Sequence, residues 1–263
     1  MRNVLRRDLK AAAFRVDQFK VPQIAAGPAA SIDAPALAAL GRACGLPLAA
    51  FREEHLRKQL RGVLAASGSG AIAGLTERVQ TDPRLRERLR AAIANSVTGP
   101  LRDPRQFELL EEELLPPLLQ RSGTLRVWSA GCSDGSEIFD LARLLDGAGA
   151  LERSYLLGSD LLQENLDKAR RAAAAKPPEL RSRLRWERRD LTAGRPPSGT
   201  WSLILCRNVA IYMRSEVRDR LHAMLAEALG RGGVLMLGRS ERIRDPRPLG
   251  LVPAGPHAYR RQS

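Results

Sequence analysis

Seven small residues, Ser129-Ala130-Gly131-Cys132-Ser133-Asp134-Gly135, stand between a strand-like apolar run (Leu125, Val127, Trp128) and a stretch with helical apolar spacing (Ile138, Phe139, Leu141, Ala142, Leu144, Leu145). Glycines at a strand-to-helix turn permit positive φ and let a ligand lie close against the backbone. A second strand-like run over 155–159 ends on Asp160. An acid at that tip of a βαβ unit is placed to accept hydrogen bonds from ribose hydroxyls. The loop is not GxGxxG and has no Walker lysine, so a dinucleotide or a triphosphate is not the natural ligand. Spacing alone leaves blander roles open: Asp160 as a helix N-cap and Glu137 as a first-turn acid favoured by the helix dipole. No CxxC pair or His/Cys cluster offers a metal site. Cys44, Cys132 and Cys206 are isolated, and His55, His222 and His257 lie outside every motif.

The elements that must position these residues alternate. After Asp160 comes a helix over 163–175, stopped by Pro177-Pro178. A short third strand over 184–187 leads to Asp190-Leu191, and a fourth over 201–205 runs into Cys206-Arg207-Asn208-Val209. An amphipathic helix over 215–229 follows, and then Gly232-Gly233 opens a fifth strand over 234–237. Strands alternating with helices predict a doubly wound, mostly parallel α/β sheet. Its ligands bind outside the carboxyl ends of the strands, where Gly131, Gly135, Asp160, Asp190, Arg207 and Asn208 all fall.

Upstream the pattern is helical, with segments over 35–44, 49–64, 72–80 and 83–95 and a long linker helix over 105–119. The expected organisation is a poorly ordered extension over 1–34, a small all-α domain over 35–103, a linker helix over 104–123 and the α/β domain over 124–263. Of 263 residues, 44% are hydrophobic but only 4% aromatic, so the core rests on Leu, Ala, Val and Ile. The formal net charge is +14, nearly all of it arginine. That balance suits an acidic partner or reflects compositional bias. Arg52, Arg57, Lys58 and Arg61 gather on the 49–64 segment as a candidate docking face. Isolated cysteines, the absence of an apolar leader and the absence of a membrane-length apolar run lead to the expectation of a cytoplasmic protein without membrane insertion.

RVWSAGCSDGSE, LLGSDLLQENLDKARR, LILCRNVAIYM and GGVLMLGRSE resemble, in order and spacing, the CheR-type chemoreceptor glutamate methyltransferases, which use S-adenosylmethionine (SAM). The similarity reaches upstream to the helical segment and its junction TGPLRDPRQF. The resemblance implies a SAM-methyltransferase sheet behind a helical domain, with S-adenosylhomocysteine (SAH) as product. It implies that Gly131, Cys132 and Gly135 pass under the methionine part, that Glu137 fixes its ammonium and that Asp160 holds the ribose. Asp190 and Leu191 would flank adenine, Asn208 with Arg207 behind it would hold the methionine end, and Tyr212 would face the methyl group. Thr98 and Arg102 would reach across from the helical domain, with Arg102 and Tyr212 at the reaction. The partner implied is an acidic protein, the cytoplasmic helices of chemoreceptors. Nucleic acid is disfavoured, since no basic stretch is interleaved with aromatics.

The chain departs from the family pattern at Pro100-Leu101, at Ser136 and at Asp190. Only a short segment separates the second α/β helix from the third strand, where the family inserts a small β-subdomain. A degenerate SAM- or SAH-binding module and a methyltransferase with another substrate therefore stay open as alternatives.

Overall fold

The computed structural model describes residues 33–94, 103–121 and 123–262. Most of the extension expected over 1–34 lies outside them, as do Thr98 and Arg102. Helix α1 (Ala34–Cys44) is capped by Asp33, whose Oδ2 accepts from Ala36 N at 3.2 Å, and it ends on left-handed Gly45. This is the cap-to-glycine pattern the sequence spells. The next helix, α2 (Glu53–Ser67), starts later than the spacing suggested. Leu48–Ala50 forms a 3-10 turn instead, and Phe51 pairs with Met213 in an isolated antiparallel bridge. Arg52 N donates to Tyr212 O and Arg214 N to Ala50 O, both at 2.9 Å. Backbone hydrogen bonding to a distant segment therefore outcompetes one more helical turn. Helices α3 (Ile72–Thr81) and α4 (Pro83–Ala94) complete the helical part, α3 packing on α1 and α4 on α2.

The linker is one helical rod in three pieces: α5 (Pro104–Leu109), a π-turn (Leu110–Leu114) and α6 (Leu115–Leu119). Pro116 and Pro117 supply no N–H to the ladder, and the wider turn ahead of them absorbs the break.

Seven strands form one sheet in the order β3-β2-β1-β4-β5-β7-β6. They are β1 (Leu125–Ala130), β2 (Ser154–Asp160), β3 (Leu184–Arg188), β4 (Trp201–Cys206), β5 (Leu229–Leu237), β6 (Leu251–Gly255) and β7 (Ala258–Arg261). The first five are parallel, and the last two add an antiparallel hairpin to β5. Helices α7 (Ser136–Gly147), α8 (Gln163–Ala174), α9 (Pro178–Arg183) and α10 (Ser215–Ala228) connect the parallel strands. Alternate strand residues feed opposite faces. Val127, Leu203 and Val234 pack with the linker and α7, whereas Trp128, Ile204 and Leu235 pack with α10 and the helical part.

The short segment between α8 and β3, where the family inserts a β-subdomain, holds only the six-residue helix α9 and no strand, as its length predicts. Two other points differ from expectation. Strand β5 begins at Leu229, not Val234, and carries Gly230–Gly233 as an irregular stretch opposite Trp201. A Cβ on Gly233 would meet the carbonyl oxygens of Gly230 and Trp201 at 2.8 Å, so glycine here permits close strand approach. The β6–β7 hairpin was not foreseen. None of the helices of the described residues is long and apolar enough to cross a membrane.

Candidate active site

Strand order reverses between β1 and β4, and a cleft opens at the carboxyl ends of the strands there, as the crevice rule requires. One wall is the loop after β1. Gly131 N and Cys132 N both donate to Ser159 O, at 2.8 and 2.9 Å, which ties the loop to the end of β2. Gly131 has φ +81°, and a Cβ there would stand 2.4 Å from Val209 Cγ2. Glycine lets this loop and the segment after β4 close on each other. Gly135 has φ +83°, but its missing Cβ points at Trp186, Ala169 and Phe139, away from the cleft. Gly135, expected under the cofactor, leaves room for packing among α7, α8 and β3.

Asp160 faces the cleft and is only 8% exposed. Its Oδ2 accepts from Ser133 N (2.9 Å), and its Oδ1 accepts from Leu162 N (2.9 Å) and Asn165 Nδ2 (3.1 Å). Three donors occupy three of the four acceptor positions of a carboxylate. Burial raises its pKa and these hydrogen bonds pull it back. The same acid thus organises the loop, starts α8 and keeps acceptor capacity toward the cleft.

Glu137, in the first turn of α7, accepts from Ser129 Oγ at 2.7 Å and from Arg207 Nη1 at 3.0 Å. Arg207 also donates through Nε to Gln106 Oε1 (2.9 Å), and its guanidinium lies 5.2 Å from the Phe107 ring centre. Gln106 in turn donates to Leu237 O at 2.8 Å. The linker helix therefore contributes to the floor of the site through Gln106 and Phe107, which end the junction string TGPLRDPRQF without the string itself revealing their contacts.

Asp190 Oδ1 accepts from Thr192 N (2.8 Å) and Thr192 Oγ1 (2.7 Å), capping the 3-10 turn Leu191–Ala193. Asp190, Leu191 and Thr192 line the cleft together with Arg189. On the opposite side, Asn208 adopts φ +60°, and Asn208, Val209, Tyr212 and Met213 form the wall. The Tyr212 ring lies 4.6 Å from His55, which stacks in turn on Phe51 at 5.9 Å. His55 Nε2–H donates to Ile93 O at 2.7 Å. Burial is the main cause that lowers its pKa, helped by the charges of Arg52 and Lys58. The sequence offered no motif for His55, yet the fold sets it directly behind Tyr212.

Of the cofactor residues expected from sequence, Gly131, Cys132, Glu137, Asp160, Asp190, Leu191, Arg207 and Asn208 line one cleft with Tyr212, and Gly135 does not. Arg52, Arg57, Lys58 and Arg61 stand outside it. Arg57 pairs with Glu53 at 2.6 Å within α2. At 100° per residue, Arg57, Lys58 and Arg61 share one arc, whereas Arg52 precedes the helix.

The cleft carries Asp134, Glu137, Asp140, Asp160 and Asp190 against Arg189 and Arg207, an acidic hollow in a chain of net charge +14. That set of anionic acceptors fits SAM, whose sulfonium and ammonium are cationic and whose ribose and adenine present hydrogen-bond donors. Among the described residues, no His/Cys/Asp/Glu group is arranged to hold a metal ion. Cys132 and Cys206 are buried, and burial pushes both thiols well above their ordinary range.

Over residues 96–177 and 175–254, more than half of the chain, the sequence matches the family model for the CheR methyltransferase SAM-binding domain. The Chemotaxis protein methyltransferase of Listeria innocua is 28% identical over 236 residues, covering 80% of this chain and 90% of that protein. Chemotaxis protein methyltransferase 1 of Pseudomonas aeruginosa is 27% identical over 241 residues, covering 78% and 88%. An acid-lined cleft at the switch point of a parallel sheet and a family match across that same cleft lead to one conclusion: the chain belongs to the CheR methyltransferase family and is a SAM-dependent methyltransferase whose cofactor product is SAH.

Proposed function

We propose that the protein methylates glutamate side chains on an acidic protein substrate, the cytoplasmic helices of chemoreceptors, and that it works in the cytoplasm. The observation that carries this reading is the cleft itself, with Asn208 and Tyr212 on one wall, the β1 loop on the other and acids between them. When bound, SAM supplies an electrophilic methyl group on a sulfonium. A glutamate carboxylate, with a pKa of about 4.3, is already a nucleophile at neutral pH. The chain therefore needs no general base, and its task is to align the acceptor with the methyl group. Tyr212 faces the reacting region, held from behind by His55, whose Nε2 proton is committed to Ile93 O. On this reading Glu137, oriented by Arg207, takes the ammonium of the cofactor, Asp160 takes the ribose, and Asp190 with Leu191 takes adenine. Gly131 and Cys132 give it a floor, and Thr98 and Arg102, outside the described residues, keep the cross-domain roles the family resemblance implies.

Substrate docking belongs to α2. Arg52, Lys58 and Arg61 are solvent-exposed, whereas Arg57 is engaged by Glu53. Surface charge of this kind raises encounter rate more than affinity and is screened by salt. The three cysteines are all free, which suits a reducing compartment.

The test is transfer of labelled methyl from SAM to purified receptor cytoplasmic fragments, with base-labile label marking an ester. The Lys58→Glu/Arg61→Glu protein should methylate more slowly, with a flattened salt dependence and unchanged SAM affinity. Calorimetric SAM binding with no transfer to any receptor fragment would replace this reading with that of a SAM-sensing module.

A further inference from the structure

Glu241 lies beyond β5, outside the cofactor cleft and 4% exposed. Its carboxylate has four backbone partners. Oε2 accepts from Asn208 N (2.6 Å) and Gly238 N (2.8 Å), and Oε1 accepts from Val209 N (3.0 Å) and Ala210 N (2.7 Å). A carboxylate offers about four acceptor positions, so this one is saturated. Three of the donors are consecutive, and successive backbone N–H groups turned inward form a concavity that binds an anion. Here the anion is built in.

The segment held this way is the wall of the site. Asn208 sits at φ +60°, a conformation that needs support from its surroundings. Val209 presses on Gly131 from across the cleft, and Ala210–Tyr212 is a 3-10 turn with no cap from a neighbouring side chain. The backbone of Glu241 is fixed as well: its N donates to Gly238 O at 2.8 Å, and its carbonyl lies 2.6 Å from Nδ1 of His257 in the turn between β6 and β7. A Cβ on Gly238 would stand 2.6 Å from Glu241 Oε2 and 2.7 Å from Asn208 N, so that glycine leaves room for the contact.

We propose that Glu241 is a positioning residue: it fixes the Asn208–Val209–Ala210 backbone, and through it Asn208 and Tyr212, against the cofactor and the acceptor carboxylate. The C-terminal hairpin, which contributes nothing to the cleft lining, becomes the mount of that anchor. The proposal rests on the methyltransferase reading for what the wall contacts, but not for the anchor itself.

The experiment uses Glu241→Gln and Gly238→Ala in the full chain. A carboxamide must turn its N–H₂ toward two backbone N–H groups, and an alanine methyl pushes the same contact from its other side while keeping the carboxylate. Both variants should bind SAH at least tenfold more weakly by calorimetry. Amide hydrogen exchange should accelerate at 208–210 while the β1, β2 and β4 amides keep wild-type protection, a localised signature that general destabilisation does not give. Methyl transfer should fall in kcat as well as in cofactor affinity, because Tyr212 rides on the same segment. Wild-type SAH affinity with unchanged exchange at 208–210 in both variants would overturn the proposal. So would exchange accelerated evenly across the sheet. Failure of the wild-type protein to bind SAH would sink the functional reading instead, while the exchange arm would still decide the anchor.

Discussion

The guanidinium of Arg207 and the carboxylate of Glu137 meet at 3.0 Å on the floor of the cleft, joining the end of β4 to the first turn of α7. The Arg207 side chain is 3% exposed and that of Glu137 19%. Removing one member of a buried pair costs about 3–5 kcal/mol, and the partial exposure of Glu137 sets the lower end. Glu137→Ala should therefore lower unfolding free energy by about 3 kcal/mol in urea titrations. A loss within a few tenths of a kcal/mol would show that the pair contributes little to folding.

Asp160→Ala should weaken SAM binding by roughly tenfold to a hundredfold, since charge-assisted hydrogen bonds contribute about 1.5–3 kcal/mol each. It should also lower stability, because Ser133 N, Leu162 N and Asn165 Nδ2 lose their acceptor. Calorimetry paired with thermal melting separates the two effects. Undiminished affinity in the folded variant would remove Asp160 from the cofactor site.

Gly131→Ala should cost about 1–3 kcal/mol of stability from the forced backbone conformation, and cofactor affinity besides, since the new methyl collides with Val209. Adding Val209→Ala removes the collision but not the φ strain. The double variant should recover SAH affinity in part while remaining less stable than wild type. No recovery would mean that the glycine is needed for the ligand and not for Val209.

Acid should destabilise the fold through His222. This residue is 2% exposed in α10, and burial, aided by the charge of Arg218 and opposed by that of Asp219, pushes its pKa down to about 4. A folded pKa below the unfolded value of about 6.5 means that the unfolded chain binds the proton first. Stability is then fully present above pH 6.5 and falls as pH drops from there toward 4, by at most about 3 kcal/mol. His222→Leu should flatten that part of the stability profile, measured by denaturant unfolding between pH 7 and 4.5. An unchanged slope would assign the acid sensitivity to other groups.

The parallel sheet and its crevice were legible because strands, glycine turns and helix caps are local features. The β1 loop, Asp160 and the segment from Arg207 to Tyr212 lie at strand ends where chain direction alone predicts a ligand. Other parts of the site depend on residues distant in sequence. Gln106 reaches Arg207 and Leu237 from the linker, His55 backs Tyr212 from the helical part, and Glu241 holds a loop more than thirty residues away. Gln106 and Glu241 stand inside the strings TGPLRDPRQF and GGVLMLGRSE and His55 stands in none, but in all three cases the contact is made across the fold, which no spacing in the chain spells out. Gly135 shows a related ambiguity: a glycine that makes room for Trp186 looks, in sequence, the same as one that makes room for a cofactor.

The seam between Phe51 and Met213 has an evolutionary corollary. Its two hydrogen bonds, Arg52 N to Tyr212 O and Arg214 N to Ala50 O, are made wholly by backbone. Among single substitutions, proline at 52 or 214 would remove a donor outright; most others leave both bonds available. The exposed face of α2 can thus drift while the junction beside Tyr212 stays the same. On the docking role proposed for that face, acceptor choice and methyl-transfer geometry would be free to evolve at different rates within one chain.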